Sequence, residues 1–245
     1  MVVSLASAAF AQDGLFRNRN RGRMPSADPA FERVEYDGRF AFVRLRYDTG
    51  GGFRREPPWA HDYPRAERHF MRILQEITLL KPHLDESNIL ALDDPQLFDY
   101  PWAYMSEPGF WTMTDAEMKG LQRYVQKGGF VVFDDFRGEH WYNFEQQIRR
   151  VFPEGRMIQL DLTNPIFHSF FEIKTLDSLR IYGAIPTYFG MFEDNDPEKR
   201  LLFIADYNGD IGEYMEFSDT GWQPIDLTND AYKFAVNYVI YAMTH

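Results

Sequence analysis

Acidic side chains stand where several predicted β-strands end. Each of these strands is an apolar run that is followed at once by a polar residue. Ligands of open α/β sheets bind outside the carboxyl ends of the strands. The candidate ligand-binding residues are therefore Asp48, Ser106, Asp134, Asp135 and Asp206. Carboxylates gathered at one rim can hold a divalent cation or act as acid and base. His140 and Trp141 follow closely and add a nitrogen ligand and an aromatic wall to the candidates.

A structural role for the same aspartates stays open. Aspartate is a common helix N-cap and turn residue, because its carboxylate accepts hydrogen bonds from backbone amides. Neighbouring side chains on a strand point to opposite faces. We therefore expect only one of Asp134 and Asp135 to face a ligand, unless the strand has already turned. The sequence identifies no catalytic residue, and from it we expect neither a bound metal nor a cofactor.

The elements that position these residues alternate along the chain. Apolar runs predict strands at 40–47, 88–92, 102–105, 130–133, 157–160 and 201–205. Apolar residues at helical spacing predict helices at 64–80, 114–127, 141–152 and 226–244. Thr114 and Glu117 form a capping-box pattern at the start of the second helix, and Gly128 suits its left-handed end. This alternation predicts one doubly wound, mostly parallel sheet with helices on both faces.

Composition excludes several classes of protein. The 245-residue chain has 37 acidic and 26 basic residues, a net charge of −11, which argues against a nucleic-acid partner. It has no cysteine, which excludes disulfides, thiolate metal sites and cysteine nucleophiles. The sequence also lacks a Gly-x-Ser-x-Gly elbow and a phosphate-binding Gly-Lys-Ser/Thr loop.

The first 37 residues differ in composition from the rest. Residues 1–11 are short, apolar and end in Ala-Phe-Ala, the pattern of a signal peptide. No basic residue precedes them, so we expect that the true start lies upstream. Residues 12–37 are rich in Arg, Gly and Pro and predict a disordered linker, whose arginines allow peripheral membrane association. We expect an exported, periplasmic protein with no transmembrane segment and with one domain over 38–245.

Several segments resemble a known family, domain-of-unknown-function family 4159 (DUF4159), in the order in which they occur. They are FVRLRYD at 42–48, DDPQLFDYP at 93–101, GGFVVFDDF at 128–136 and YAMTH at 241–245. The resemblance runs from about Phe40 to the last residue. It implies a flavodoxin-like fold similar to the class I glutamine amidotransferase superfamily. Amidotransferases there use a cysteine nucleophile that this chain lacks, and Asn164 stands where the family often has a histidine.

Three functions agree with these observations. The preferred hypothesis is a non-catalytic module of the cell envelope that binds a small ligand or a protein through the strand-end rim. The first alternative is a divalent-metal-dependent hydrolase or transferase that uses the strand-end carboxylates. The second alternative is a structural subunit of an envelope complex.

Overall fold

The structure, a computed structural model, describes residues 34–51, 57–85, 87–181 and 183–245. The predicted signal peptide, and the predicted linker as far as residue 33, lie outside these residues. The end of that linker lies against the domain. The backbone amide of Val34 donates to Asn88 Oδ1 at 2.9 Å, and Tyr36 packs edge-on against the ring of Tyr100.

One mixed sheet of seven strands forms the centre of the described residues. In sheet order the strands are β2 (Ser87–Ala91), β1 (Phe42–Arg46), β3 (Trp102–Ser106), β4 (Phe130–Phe136), β7 (Leu201–Tyr207), β6 (Thr187–Phe192) and β5 (Ile158–Gln159). The first five strands in this order are parallel. β6 runs antiparallel to both of its neighbours. The predicted parallel sheet is therefore confirmed for its larger part and extended by an antiparallel edge.

In the part of the chain that the structure describes, five α-helices cover the two faces of the sheet. They are α1 (Arg65–Ile77), α2 (Asp115–Gln126), α3 (His140–Val151), α4 (Ile211–Glu216) and α5 (Ile225–Thr244). α1, α4 and α5 share one apolar core with the sheet, and α2 and α3 share the other. No helix within the described ranges combines the length and the apolar composition that crossing a bilayer requires.

The pleat of the strands decides which side chain enters which core. On β3, Trp102 and Tyr104 face α1 and α5, whereas Ala103 and Met105 face α2 and α3. Apolar side chains on both faces explain why the sequences of these strands are continuous apolar runs. Polar side chains share the α1/α5 face with the aromatic residues, namely Arg44, Tyr104, Ser106, Asp134 and Asp206.

Two elements were not predicted, namely β6 and α4. β6 contains Gly190, and glycine inside an apolar run weakens a strand prediction. In the structure this glycine allows close packing, because a Cβ atom at Gly190 would lie 2.4 Å from Leu201 Cδ1. α4 has only six residues, too few to show helical periodicity.

Both predicted ends of α2 are confirmed. Thr114 Oγ1 accepts from the Glu117 amide, and the Glu117 carboxylate accepts from the Thr114 amide. Beyond the helix, Gly128 has a φ of +106°, a left-handed conformation that glycine adopts without steric cost. α2 also contains Gly120, where an added Cβ would lie 2.0 Å from the carbonyl oxygen of Leu92.

We expect Gly120→Ala to destabilise the protein, although alanine is the better helix former. The added methyl group would overlap with the Leu92 carbonyl, so backbone must move at a net cost of about 1–3 kcal/mol. Lys119→Ala, an exposed change on the same helix, is the control and should stay within about 0.5 kcal/mol of the wild type. Urea unfolding measures both. A Gly120→Ala protein as stable as the control variant would contradict this packing.

Candidate functional site

Strand order reverses between β1 and β3, and the candidate site lies there. The chain leaves β1 toward β2 at one side of the sheet and leaves β3 toward β4 at the other. This reversal opens a crevice outside the carboxyl ends of the strands, where doubly wound proteins bind ligands. His61 and Asp62 lie in the connection from β1 to α1, and Glu107 directly follows β3. Asp135 lies near the end of β4, and Asp210 follows β7.

Asp134 and Asp135 lie where β4 turns, which is the exception that the expectation from the pleat allowed. Asp135 has a φ of +57°, and the pairing of β4 with β7 shifts register between Phe133 and Phe136. This bulge turns the strand, so that the two carboxylates no longer point to strictly opposite faces. Asp135 Oδ2 lies 2.9 Å from His61 Nδ1. Asp134 Oδ2 accepts from Tyr104 Oη at 2.8 Å and from the Gly212 amide at 3.1 Å.

Three sets of side chains have ligand atoms within 4.8 Å of one another: His61, Glu107 and Asp135; His61, Asp62 and Glu213; and Asp62, Asp135 and Asp210. We call these six residues the acidic crevice. Two metal ligands on opposite sides of one cation lie at most about 4.8 Å apart when each bond is about 2.4 Å long. The three sets therefore have the spacing of metal ligands.

Asp62 is the least compensated member of the acidic crevice. It is 4% exposed, and neither carboxylate oxygen accepts a hydrogen bond from any residue that the structure describes. Its nearest charged partner is His61, whose Nδ1 lies 3.4 Å from Asp62 Oδ1. A Cβ atom at Gly212 would lie 2.2 Å from Asp62 Oδ2, so only glycine leaves room for this carboxylate. Burial raises the pKa of Asp62 well above its usual range.

Burial and crowding shift the pKa values of the neighbouring groups as well. The hydrogen bond to Asp135 raises the pKa of His61 to about 10. Burial, with the charge of Asp135, raises the pKa of Asp134 to about 7. Burial also raises the pKa of Asp210 well above its usual range, and the charges of Asp135 and Asp62 add to this. Asp210 Oδ1 accepts from the Glu213 amide at 2.8 Å, which fixes that carboxylate at the start of α4.

A buried arginine on β1 holds the segment that carries His61 and Asp62. Arg44 Nη1 donates to the carbonyl oxygens of Trp59 and His61 at 2.9 and 2.8 Å. Its Nε donates to the Glu67 carboxylate on α1, and the whole side chain is buried. The guanidinium carbon lies 5.0 Å from the centre of the Tyr104 ring. The guanidinium of Arg44 therefore connects β1 to α1 and to the segment that carries His61 and Asp62.

Two of the residues predicted from the sequence lie outside the acidic crevice. Asp48 is exposed, its Oδ1 accepts from the Thr49 amide, and its carbonyl oxygen accepts from the Thr112 amide. Asp206 is fully buried, and both of its carboxylate oxygens accept from Tyr238 Oη at 3.1–3.2 Å. Asp48 and Asp206 both follow an apolar run in the sequence, yet one is exposed and the other is buried in the structure.

Ser106, His140 and Trp141 do not belong to the three sets of the acidic crevice either. Ser106 is fully buried, and its hydroxyl has no hydrogen-bond partner within the described part of the chain. His140 packs against the ring of Phe110, with ring centres 4.5 Å apart, and burial lowers its pKa. Trp141 lies among aromatic side chains, 4.6 Å from Phe189 and 5.1 Å from Tyr207 between ring centres. It packs against the core on the side of α2 and α3.

Sequence reasoning missed most of the acidic crevice. His61 and Asp62 lie fifteen or more residues beyond the end of β1, and nothing in their spacing marks them as ligands. Glu107 and Asp210 are closer to strand ends, at one residue after Ser106 in β3 and three after Tyr207 in β7. A search window extended a few residues past each strand would have included those two.

We expect Glu67→Ala to destabilise the protein by about 3–5 kcal/mol, because it leaves the buried Arg44 without its carboxylate. Glu145→Ala, which removes the exposed partner of Arg149, is the control and should cost about 1 kcal/mol or less. Guanidinium chloride unfolding of the three proteins measures the difference. Equal losses in both variants would show that the buried pair contributes no more than a surface pair.

Comparison with known families adds one result. The sequence model of the family described as a domain of unknown function, DUF4159, matches residues 41–243, from just before β1 to the last turn of α5. The chain therefore belongs to this family. No curated protein matches the chain. The description of the family gives no activity, so any function must be argued from the geometry of the site.

Proposed function

We propose that this member of the DUF4159 family is a divalent-metal-dependent hydrolase or transferase that uses the acidic crevice. One observation carries the proposal. Asp62 is a buried carboxylate with no hydrogen bond from any described residue, and it lies within 4.8 Å of Asp135 and Asp210. A buried charge that has no hydrogen-bond partner is costly unless a cation compensates it.

The donor atoms favour a particular class of cation. Five of the six residues of the acidic crevice supply carboxylate oxygens, and His61 supplies one nitrogen. Carboxylate oxygens suit Mg²⁺, Mn²⁺ and Ca²⁺, whereas sites for softer metals use thiolates, which this chain lacks. A divalent cation would also replace mutual repulsion among the carboxylates by attraction to a shared charge.

The openness of the crevice favours catalysis over a purely structural metal. Structural metal sites are closed by protein ligands, whereas catalytic sites keep a position for water or substrate. Here the His61 side chain is 43% exposed and that of Asp135 is 13% exposed, while Asp62 lies beneath them. The fold has two large apolar cores of its own and does not need a metal to hold it together.

The residues have distinct roles in this proposal. Asp62, Asp135 and Asp210 hold the cation from three different segments of the chain. His61 lies on the exposed side, where it can ligate the cation or exchange a proton with a bound water. A metal in such a site lowers the pKa of its bound water and polarises the substrate oxygen. Arg44 and Glu67 are positioning residues, since they fix the backbone before Asp62.

We also propose the finer fold relationship and the cellular location. The parallel strands follow the order β2-β1-β3-β4-β7, which supports a flavodoxin-like arrangement. The relation to the class I glutamine amidotransferase superfamily rests on the sequence resemblance. Export rests on the signal-peptide pattern of residues 1–11.

We expect Asp62→Asn to weaken Mn²⁺ binding by at least about 10- to 100-fold, since it removes the charge of a direct ligand. Asparagine tolerates the left-handed φ of +66° at this position, so the backbone is retained. The metal-free variant should unfold at no lower temperature than the wild type, because a neutral amide needs no compensating charge, whereas burial makes the Asp62 carboxyl costly to ionise. Asp48→Asn, a strand-end aspartate outside the crevice, should bind Mn²⁺ as the wild type does.

Calorimetric titration with Mn²⁺ and thermal unfolding test the metal site. Turnover is measured on a panel of phosphate, sulfate and carboxylate esters of p-nitrophenol, with Mn²⁺ and with chelator. Wild-type protein that binds no Mn²⁺, or Asp62→Asn protein that binds it normally, would contradict the metal site. Protein that binds Mn²⁺ but hydrolyses none of these esters would contradict the enzymatic part and favour the non-catalytic binding module.

A further inference from the structure

We infer that the acidic crevice binds two divalent cations that share the carboxylate of Asp135. This inference rests on the proposed function and specifies it further. One cation would be held by Asp62, Asp135 and Asp210, and the other by His61, Glu107 and Asp135.

The order of the strands is the first argument. β4 lies between β3 and β7 in the sheet, so Asp135 at the end of β4 lies between the residues that follow its two neighbours. On one side Glu107 follows β3, and on the other Asp210 follows β7. The connection after β1 supplies a different ligand to each side, His61 to one and Asp62 to the other. Each set therefore contains three segments of the chain, and Asp135 is the one residue that the two sets share.

The two sets are also contiguous. The third set of close ligand atoms consists of His61, Asp62 and Glu213, so it takes one residue from each of the other two. Asp135 has two carboxylate oxygens, and Oδ2 already lies 2.9 Å from His61 Nδ1. A carboxylate that bridges two cations suits the separation of about 3.5–4 Å that is typical of two-metal sites.

Charge is the second argument. Five carboxylates lie in the acidic crevice, namely Asp62, Glu107, Asp135, Asp210 and Glu213. Once metal binding has displaced the protons of all five carboxylates and left His61 neutral, one divalent cation leaves three negative charges and two leave one. The negative charge of Asp135 also acts on Asp62, Asp210 and Glu213. A second cation beside Asp135 would relieve repulsion throughout the crevice.

The Asp62 carboxylate, which accepts no hydrogen bond from the described residues, marks this cluster as a ligand site and not merely an acidic surface. It is buried under the crevice, and neither of its oxygens accepts a hydrogen bond from the described residues. A pair of cations at this position would be accessible from the side of His61. Such pairs suit substrates with two oxygens to bind, of which phosphate esters are the main class.

The test is the number of Mn²⁺ ions bound by the full chain and their magnetic coupling. Native mass spectrometry and calorimetry should give two ions per chain, and electron paramagnetic resonance should show an exchange-coupled pair. Glu107→Gln and Asp210→Asn should each bind one ion with the spectrum of isolated Mn²⁺. Asp135→Asn should lose tight binding of both ions, and Asp48→Asn should keep the coupled pair. Thermal unfolding confirms that each variant is folded.

The possible failures are distinguishable. One Mn²⁺ per wild-type chain, lost in Asp62→Asn, would overturn the two-cation inference and leave the proposed function standing. Two ions that show no exchange coupling, or that persist in Asp135→Asn, would overturn the shared ligand. No bound Mn²⁺ in the wild type would overturn the inference together with the proposed function.

Discussion

The guanidinium of Arg44 is a full positive charge in the interior of the protein, on the strand next to the reversal in strand order. Its hydrogen bonds reach Glu67 on α1 and the carbonyl oxygens of Trp59 and His61 in the connection before that helix. An irregular connection has no ladder of its own to fix it, so these bonds determine where it lies. The position of Asp62 relative to the strands depends on this arrangement.

Buried carboxylates, the negative counterparts of Arg44, lie at and beyond the ends of the strands. Asp134 and Asp206 are fully buried but receive hydrogen bonds, from Tyr104 and Gly212 in one case and from Tyr238 in the other. Each of these two carboxylates thus has at least one oxygen that accepts hydrogen bonds, although Asp134 Oδ1 has no partner among the described residues. Asp62 has no such donor among the described residues and lies beside further carboxylates. This contrast, between carboxylates of similar burial in one structure, distinguishes a ligand site from ordinary polar packing.

The layers of the fold were largely predictable, because they depend on local pattern. Apolar runs predicted six strands near their observed positions, and the capping box at Thr114 identified the start of α2. The strand prediction missed β6, because Gly190 interrupts its apolar run. The glycine leaves room for the side chain of Leu201. The helix prediction missed α4, because six residues are too few to show the periodicity of a helix. Both misses lie beside β7, where the parallel sheet becomes mixed.

The sequence by itself determined that this chain has an acidic rim on an α/β sheet and no cysteine chemistry, because residue types and apolar periodicity are local properties. It placed Asp134 and Asp135 at the end of a strand, where the structure also has them. Only the tertiary structure determined which acidic side chains lie close together. Asp48 and Asp206 follow strands as expected, yet hydrogen bonds to Thr49 and Tyr238 hold them elsewhere. The acids of the crevice come together because of the bulge in β4, the order of the strands and the hydrogen bonds of Arg44. These features join residues that are far apart in the chain, so local sequence patterns do not show them.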